Sequence, residues 1–383
     1  MKKKYAIVAL AVFFFACKKN DVPAPSAPNE QTLSTKAKPD AAGNLNTRVV
    51  NNSLNFPWEI LWGPDNFIWF TEREGRVSRM NPETGQVIPI ATIADVATTT
   101  DFNGLLGMAL HPQFSSNPLV YLIYNYFNTS GEYLEKIVQF TYNGTTLVSP
   151  VTLLDGIKGR TGGDFIHNGA RLTIGADMKL YASTGDDNMR FEFPQNTSSL
   201  NGKILRINLD GTIPADNPFG NAVWAIGQRN PQGLVFGNGG KLYSSMHGES
   251  TNDEVNIILK GRNYGWPFVE GFCDTPAEES FCAANNVVEP IFAWTPTIAP
   301  SGMEYYNKTA ISQWKNSLLL AVLKNKMLIQ LKLSDDGSIV EGVHEYFVNQ
   351  FGRLRDVAIS PDGKVYLCTD NGNHQDMIIE VTK

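Results

Sequence analysis

The sequence is poor in charge, cysteine and histidine: of 383 residues 18% are charged, four are Cys and five are His, and the formal net charge is −6. With no basic excess, charge lends no support to nucleic-acid binding, and any anion site must be built from a few local Lys and Arg side chains. No C-x-x-C-H run is present, so the chain carries no covalently attached c-type haem. No stretch shows sustained helical periodicity. The apolar run Tyr5–Phe15 is too short for an ordinary membrane-spanning helix, which needs about 20 residues.

What is present points to β-structure. Hydrophobic residues make up 42% and aromatics 11%, enough for a large core, and 33 Gly with 21 Pro suit many short strands joined by tight turns. The start, Met1-Lys2-Lys3-Lys4 followed by an apolar run and Ala16-Cys17, has the layout of an export signal. A small residue directly before Cys17 is similar to a bacterial lipoprotein signal, with an ordinary secretory signal as the alternative. Residues 1–17 are thus expected to be a signal, 18–46 a disordered tether rich in Asn, Pro, Ala, Ser, Thr and Lys, and 47–383 the folded domain. That organisation implies export to the cell envelope, in the periplasm or at the outer membrane, with a lipid on Cys17 as the membrane attachment. In an oxidising compartment Cys273 and Cys282, close in a Pro- and Glu-rich loop, are expected to pair, with two free thiols as the alternative. Cys368, in Val365-Tyr366-Leu367-Cys368, reads as a buried small hydrophobe.

One phrase recurs: a turn with Asp or Gly, an alternating apolar strand, then a polar end. Its copies are Pro64–Glu72, Asn117–Leu122, Gly175–Gly185, Gly239–Ser245, Lys315–Ala321 and Ser360–Leu367. An apolar strand often precedes the phrase, as in Gly104–Leu110 and Leu354–Ile359, and another often follows, as in Gly202–Gly211. Six such copies predict an all-β fold, a six-bladed β-propeller with four-stranded antiparallel blades. The run Met377–Val381 and the early run around Arg48–Val50 are expected to share a blade and close the ring, removing exposed sheet edges.

A propeller collects loops from every blade at one end of its axis, so polar residues at strand ends are the candidates for a site. His167 leads into a predicted strand and is the side chain suited to exchanging a proton near neutral pH; a hydrogen-bonded structural His is the commoner case. Arg229 and Asn230 sit at a Pro-stiffened turn entering a strand, where a guanidinium suits a developing oxyanion or ties loops together. The loop around Gly248, Glu249 and Glu254 offers carbonyl and carboxylate oxygens, which hard cations such as Ca2+ prefer. Late in the chain come Lys324, Arg353 and Arg355. Residues two apart on a strand share a face, so the two arginines suit a bound carboxylate or phosphate, or else pair with Asp356 or another local acid.

Taken in order, Arg229-Asn230-Pro231-Gln232-Gly233-Leu234, Asp253-Glu254-Val255-Asn256 and Asn263-Tyr264-Gly265-Trp266-Pro267 resemble the soluble sugar dehydrogenases that use pyrroloquinoline quinone (PQQ), the glucose/sorbosone dehydrogenase family. Asn103–Gly107, Ile298–Gly302 and Arg353–Val357 add to the resemblance, which runs from about residue 50 to the C-terminus. It implies an oxidoreductase that uses PQQ and Ca2+ to oxidise an aldose or related alcohol, passing electrons to a separate acceptor. It also implies roles: His167 as general base and Arg229 as stabiliser of charge on the quinone oxygen, with Asn230 beside it. Lys324, Arg353 and Arg355 would hold the cofactor. Gly248 and Glu249 would bind the Ca2+ next to it through their carbonyls, and Glu254, Tyr264 and Asp274 a second Ca2+. Phe102, Ile166 and Thr295 stand where the glucose enzymes carry Gln, Asp and Trp, which moves the expected substrate toward other aldoses or alcohols. Two other readings compete: a catalytically silent propeller binding a glycan or protein, and a calcium-dependent lactonase or esterase-type propeller, which would want several carboxylate or Asn side chains on one axial metal rather than a Lys–Arg–Arg set.

Overall fold

The computed structural model describes residues 45–98, 103–159, 167–188 and 193–383. The expected signal, residues 18–44 of the expected tether, Phe102 and Ile166 lie outside them; Leu45 packs against a core cluster and Asn46 begins a strand, so the folded part starts two residues earlier than expected. Six four-stranded antiparallel sheets form the described chain, together with one α-helix, Pro276–Asn285, and two short 3-10 turns. Five sheets are built from four consecutive strands, beginning at Pro57, Leu105, Gly169, Pro231 and Pro300. The sixth combines Leu354–Ile359, Val365–Thr369 and Asp376–Thr382 with the early strand Asn46–Leu54. That early strand pairs antiparallel with the C-terminal one, Arg48 opposite Glu380 and Val49 opposite Ile379, so the expected closure forms.

The first strand of each sheet contacts the first strand of the next, and Leu354–Ile359 contacts Pro57–Trp62. The contacts therefore run in a ring, and the fold is the six-bladed propeller the repeat predicted. The recurring phrase is the second strand of every blade: Ile68–Glu72, Leu119–Phe127, Lys179–Thr184, Leu242–Met246, Ser317–Val322 and Val365–Thr369. These strands are buried almost throughout, covered on both faces by neighbouring blades, hence their apolar runs. Core side chains interlock between blades, as where Trp58, Leu106, Tyr121, Ala170 and Leu205 form one cluster. Packing is tight enough that a Cβ on Gly107 would lie 2.1 Å from the Ala170 carbonyl oxygen in the next blade.

Cys273 and Cys282 are joined by a disulfide that brackets most of the helix. Cys368 is a buried free thiol.

Candidate active site

All six innermost strands run the same way, so their starts and the loops before them gather at one end of the channel. A cavity of about 300 Å³ opens there, lined by Trp58, Arg73, Leu106, His167, Asn168, Gly169, Asn230, Gln232, His247, Ala299, Leu323, Arg353 and Arg355. Four predicted site residues, His167, Asn230, Arg353 and Arg355, thus meet in one wall although they are far apart in the chain.

His167 sits just before its strand in a left-handed backbone conformation, φ 64°, an unusual state for a β-carbon-bearing residue and one found at functional sites. The chain crosses itself closely here: a Cβ on Gly185 would lie 1.6 Å from the His167 carbonyl oxygen, so only glycine fits. His167 Nδ1 lies 2.7 Å from Asp186 Oδ1. Asp186 is buried and accepts on both oxygens, from the Asn188 N–H and the Trp266 indole N–H, so in the His167 pair Nδ1–H is the donor. That assignment leaves Nε2 with a lone pair, the state a general base needs.

Around this pair, Asn230 Oδ1 accepts from the Gly169 N–H (3.1 Å) and from Gln232 Nε2 (3.0 Å), tying the His167 segment to the next blade. His247 Nε2 donates to the Pro300 carbonyl at 2.7 Å. Burial, reinforced by the nearby His167, Arg355 and Arg229, lowers its pKa to about 3 and keeps the ring neutral. Arg229 is buried beside the cavity, with Nη1 3.4 Å from the His247 carbonyl and its guanidinium 5.1 Å from the centroid of the Trp266 ring.

The cationic part of the wall is organised by one acid. Asp370 receives Arg73 Nη2 at 3.2 Å, Arg353 Nη2 at 3.5 Å and a close contact from Arg355 Nη2. Burial opposes its charge, but Arg355, Arg73 and Arg353 overcome this and hold the carboxyl below its ordinary range. Among the described residues, Arg353 and Arg355 thus bring two guanidiniums to one carboxylate at a cavity whose other walls include Trp58, Leu106 and Leu323. Arg355 Nη1 donates to Gln232 Oε1 at 3.0 Å, while its buried Nε has no hydrogen-bond partner among the described residues. A flat polyanion suits these features: apolar faces for its rings, and spare donors and charge for its carboxylates. PQQ, a planar tricarboxylate, fits that description. Lys324 follows the lining residue Leu323 and is exposed, its ammonium on Thr297 Oγ1 at 2.8 Å.

The residues expected to hold Ca2+ are placed less compactly. No cluster of three or more His, Cys, Asp or Glu side chains suited to a metal occurs among the described residues. Gly248 and Glu249 lie in the loop between Leu242–Met246 and Asp253–Ile258. That loop is anchored by Asp253, which accepts from the N–H groups of Gly248 (2.8 Å), Ile298 (2.6 Å) and Ala299 (2.7 Å). Glu249 and Asp274 are exposed and Tyr264 is buried. Glu254 is buried and accepts from the Gly271 N–H (2.7 Å) and Asn256 Nδ2 (2.8 Å). Burial pushes its pKa up to about 8, and no Lys, Arg or His pairs with it among the described residues. Asn256 Oδ1 beside it is buried without a hydrogen-bond partner among the described residues. A buried carboxylate lacking a cation next to an unsatisfied amide oxygen is donor chemistry that fits a hard cation.

Sequence reasoning missed Asp186, Arg73, His247 and Asp370 as site residues, and quoted Trp266 only within a motif. Four of the five share a signal. Arg73, Asp186, His247 and Asp370 come one or two residues after the second strand of their blades, just beyond the recurring phrase.

Residues 54–379 match the family described as Glucose / Sorbosone dehydrogenase. The quinoprotein glucose dehydrogenase B of Acinetobacter calcoaceticus is 34% identical over 87% of this chain and 87% of its own length. The aldose sugar dehydrogenase YliI of Escherichia coli is 29% identical over 87% of this chain and 92% of its own. Among solved structures, the PQQ-bound aldose sugar dehydrogenase of Streptomyces coelicolor superposes with a TM-score of 0.75 at 30% identity, covering 90% of this chain and 99% of that one. On its sequence match along nearly the whole propeller, the chain belongs to the glucose/sorbosone dehydrogenase family.

Proposed function

We propose that this protein is a PQQ- and Ca2+-dependent dehydrogenase that oxidises an aldose or related alcohol and hands the electrons to a separate carrier. The observation that carries the reading is the meeting of a carboxylate-backed imidazole, His167, with Arg73, Arg353 and Arg355 in one cavity. Arg353 and Arg355, with Arg73, would hold the cofactor's carboxylates, and Lys324 would add a cation from the neighbouring segment. Trp58 and Leu106 would cover its rings. When bound, PQQ supplies the two-electron acceptor for a hydride, and Ca2+ on the Gly248 and Glu249 carbonyls supplies the Lewis acid that makes it a better one.

The protein's own part is positioning and proton transfer. His167 lines the cavity and would act as a base through Nε2, taking the proton from the oxygen of the hydroxyl whose carbon loses hydride, while Asp186 would stabilise the imidazolium that forms. Arg229 and Asn230 stand ready to stabilise negative charge gained on the acceptor side. Glu254, the Tyr264 carbonyl and Asp274 form the proposed second Ca2+ site. Thr295 Oγ1 bonds to Asn252, with its oxygen 2.9 Å from Asn252 Oδ1, a small hydroxyl at a position where the glucose enzymes carry a Trp. This supports a substrate range other than glucose alone. Cys17 is the proposed lipid attachment, with residues 18–44 as a tether to the propeller.

The test is direct. Protein lacking residues 1–17 is titrated with PQQ and CaCl2 by calorimetry and assayed for dye reduction across a panel of aldoses. Saturable PQQ binding with aldose-dependent dye reduction is the expected result; absence of PQQ binding would overturn the reading, and binding without turnover on any aldose or alcohol would favour the silent propeller.

A further inference from the structure

We propose that Trp266 is a positioning residue that locks the His167–Asp186 pair and Arg229 into one rigid unit. The inference rests on the reading of His167 as the base. Asp186 Oδ1 faces His167 Nδ1 at 2.7 Å and also accepts from the Asn188 N–H at 2.8 Å. Its other oxygen, Oδ2, accepts from the Trp266 indole N–H at 2.8 Å. Each carboxylate oxygen therefore has its own donor, and the group cannot turn without breaking both sets. Remove the indole N–H and a buried acceptor loses its partner. The carboxylate is then free to rotate, and the imidazole loses the anchor that aims Nε2 at the cavity.

The same tryptophan seats the second charge. Arg229 lies over its ring at 5.1 Å, within the range of a cation–π contact. Backbone bonds draw the two halves together: the Asp186 N–H donates to the Arg229 carbonyl at 2.8 Å.

Trp266 is itself held from behind. Its backbone N–H donates to the Gly227 carbonyl at 3.2 Å, and its backbone carbonyl accepts from Gln195 Nε2 at 2.7 Å. Gln195 and Asn263 are joined by reciprocal side-chain bonds of 3.0 and 2.7 Å. The loop carrying Gln195 is gathered by Lys203, whose buried ammonium donates to the carbonyls of Phe193 (2.7 Å), Pro194 (3.0 Å) and Asn201 (2.6 Å). Three donors meeting three carbonyls leave that ammonium fully engaged. Trp266 does not border the cavity, so its effect on the reaction passes through Asp186 and Arg229.

Two measurements test this. Trp266→Phe keeps a ring beneath Arg229 and removes the N–H. It is expected to lower kcat for an aldose about tenfold while KM and PQQ affinity stay within about twofold. A wild-type kcat in this variant, confirmed as folded by circular dichroism, would overturn the proposal. Independently of turnover, the chain has seven tryptophans, and the indole N–H resonance missing from 15N-labelled Trp266→Phe identifies the one in question. In Asp186→Asn, which replaces the charged acceptor with an amide, that resonance is expected to move. If it stays in place, the indole–carboxylate bond is not there and the proposal fails. The indole readout needs neither cofactor nor sugar, so a wild-type protein without turnover would sink the dehydrogenase reading and leave this inference to be decided by the spectrum.

Discussion

The two ends of the propeller channel carry opposite electrostatic designs on the same six strands. At the end where the innermost strands begin, three arginines converge on one carboxylate, Asp370. Further along the same strands lies a second cavity of about 250 Å³, where three carboxyl groups surround one guanidinium. Its walls include Glu59, Glu304, Asp356 and Arg171. Arg171 Nη1 lies 2.6 Å from Glu59 Oε1 and 2.9 Å from Asp356 Oδ2. The difference teaches how each end settles its surplus charge. Arginines cannot shed protons, so Arg353 and Arg355 keep their charge at the cavity across the ordinary pH range. Carboxyl groups can take protons, and at the negative end burial favours uptake while Arg171 opposes it. Burial raises Glu59 well above its ordinary range, raises Asp356, and pushes Glu304 to about 8, with Arg171 opposing in each case. One end offers charge to an anion, and at the other the buried acids share one guanidinium.

Breaking each end should therefore have a different consequence. The largest effect is expected for Arg171→Met. It removes the one cation facing two buried carboxylates, and loss of one partner from a buried ion pair costs about 3–5 kcal/mol. Chemical denaturation should show that loss. If the variant instead keeps its stability and loses PQQ affinity, the two ends are not separate devices. Next comes His167→Ala, which should retain PQQ binding and lower turnover about 100-fold or more; near-normal turnover would remove His167 from the base role. Smaller again is Arg353→Ala. It leaves Arg73 and Arg355 on Asp370, and calorimetry should show PQQ binding weakened about tenfold with little change in stability. Unchanged affinity would take Arg353 out of the cofactor site.

The same contrast explains what the sequence made legible. The blades were readable because their second strands are covered on both sides and carry dense apolar runs between turns. Even the weak copy at Lys315–Ala321 marks a true strand, Ser317–Val322. His167, Asn230, Arg353 and Arg355 were readable as strand-end polar residues, and the cavity brings them together. Partner choice was not readable. Arg353 and Arg355 stand next to Asp356 in the chain, yet both pair with Asp370, while Asp356 reaches across the channel to Arg171. In a ring of blades, residues adjacent in sequence can serve opposite ends of the axis, so closeness along the chain misleads. Asp186 and Trp266 escaped notice as a pair for a related reason, being 80 residues apart.

The smallest expected effect concerns Glu304 and depends on pH. Its carboxyl has a pKa raised to about 8 in the folded protein, first by burial and then by the neighbouring Asp356, against an ordinary value of 4.5. Below pH 4.5 the group is protonated whether the chain is folded or not, and contributes no pH dependence. Between pH 4.5 and 8 the folded protein keeps a proton that the unfolded chain has released, so stability falls as pH rises through that window. Glu304→Gln mimics the protonated form at every pH. It should match the wild type at pH 4 and exceed it at pH 8 by about 1–2 kcal/mol, a discounted figure because the carboxyl borders a cavity where water screens it. Urea titrations at the two pH values measure the gap. A variant less stable at pH 8 than the wild type would mean that the carboxylate is charged and usefully paired, most simply with Arg171, and the two ends of the channel would then be less opposed than their geometry indicates.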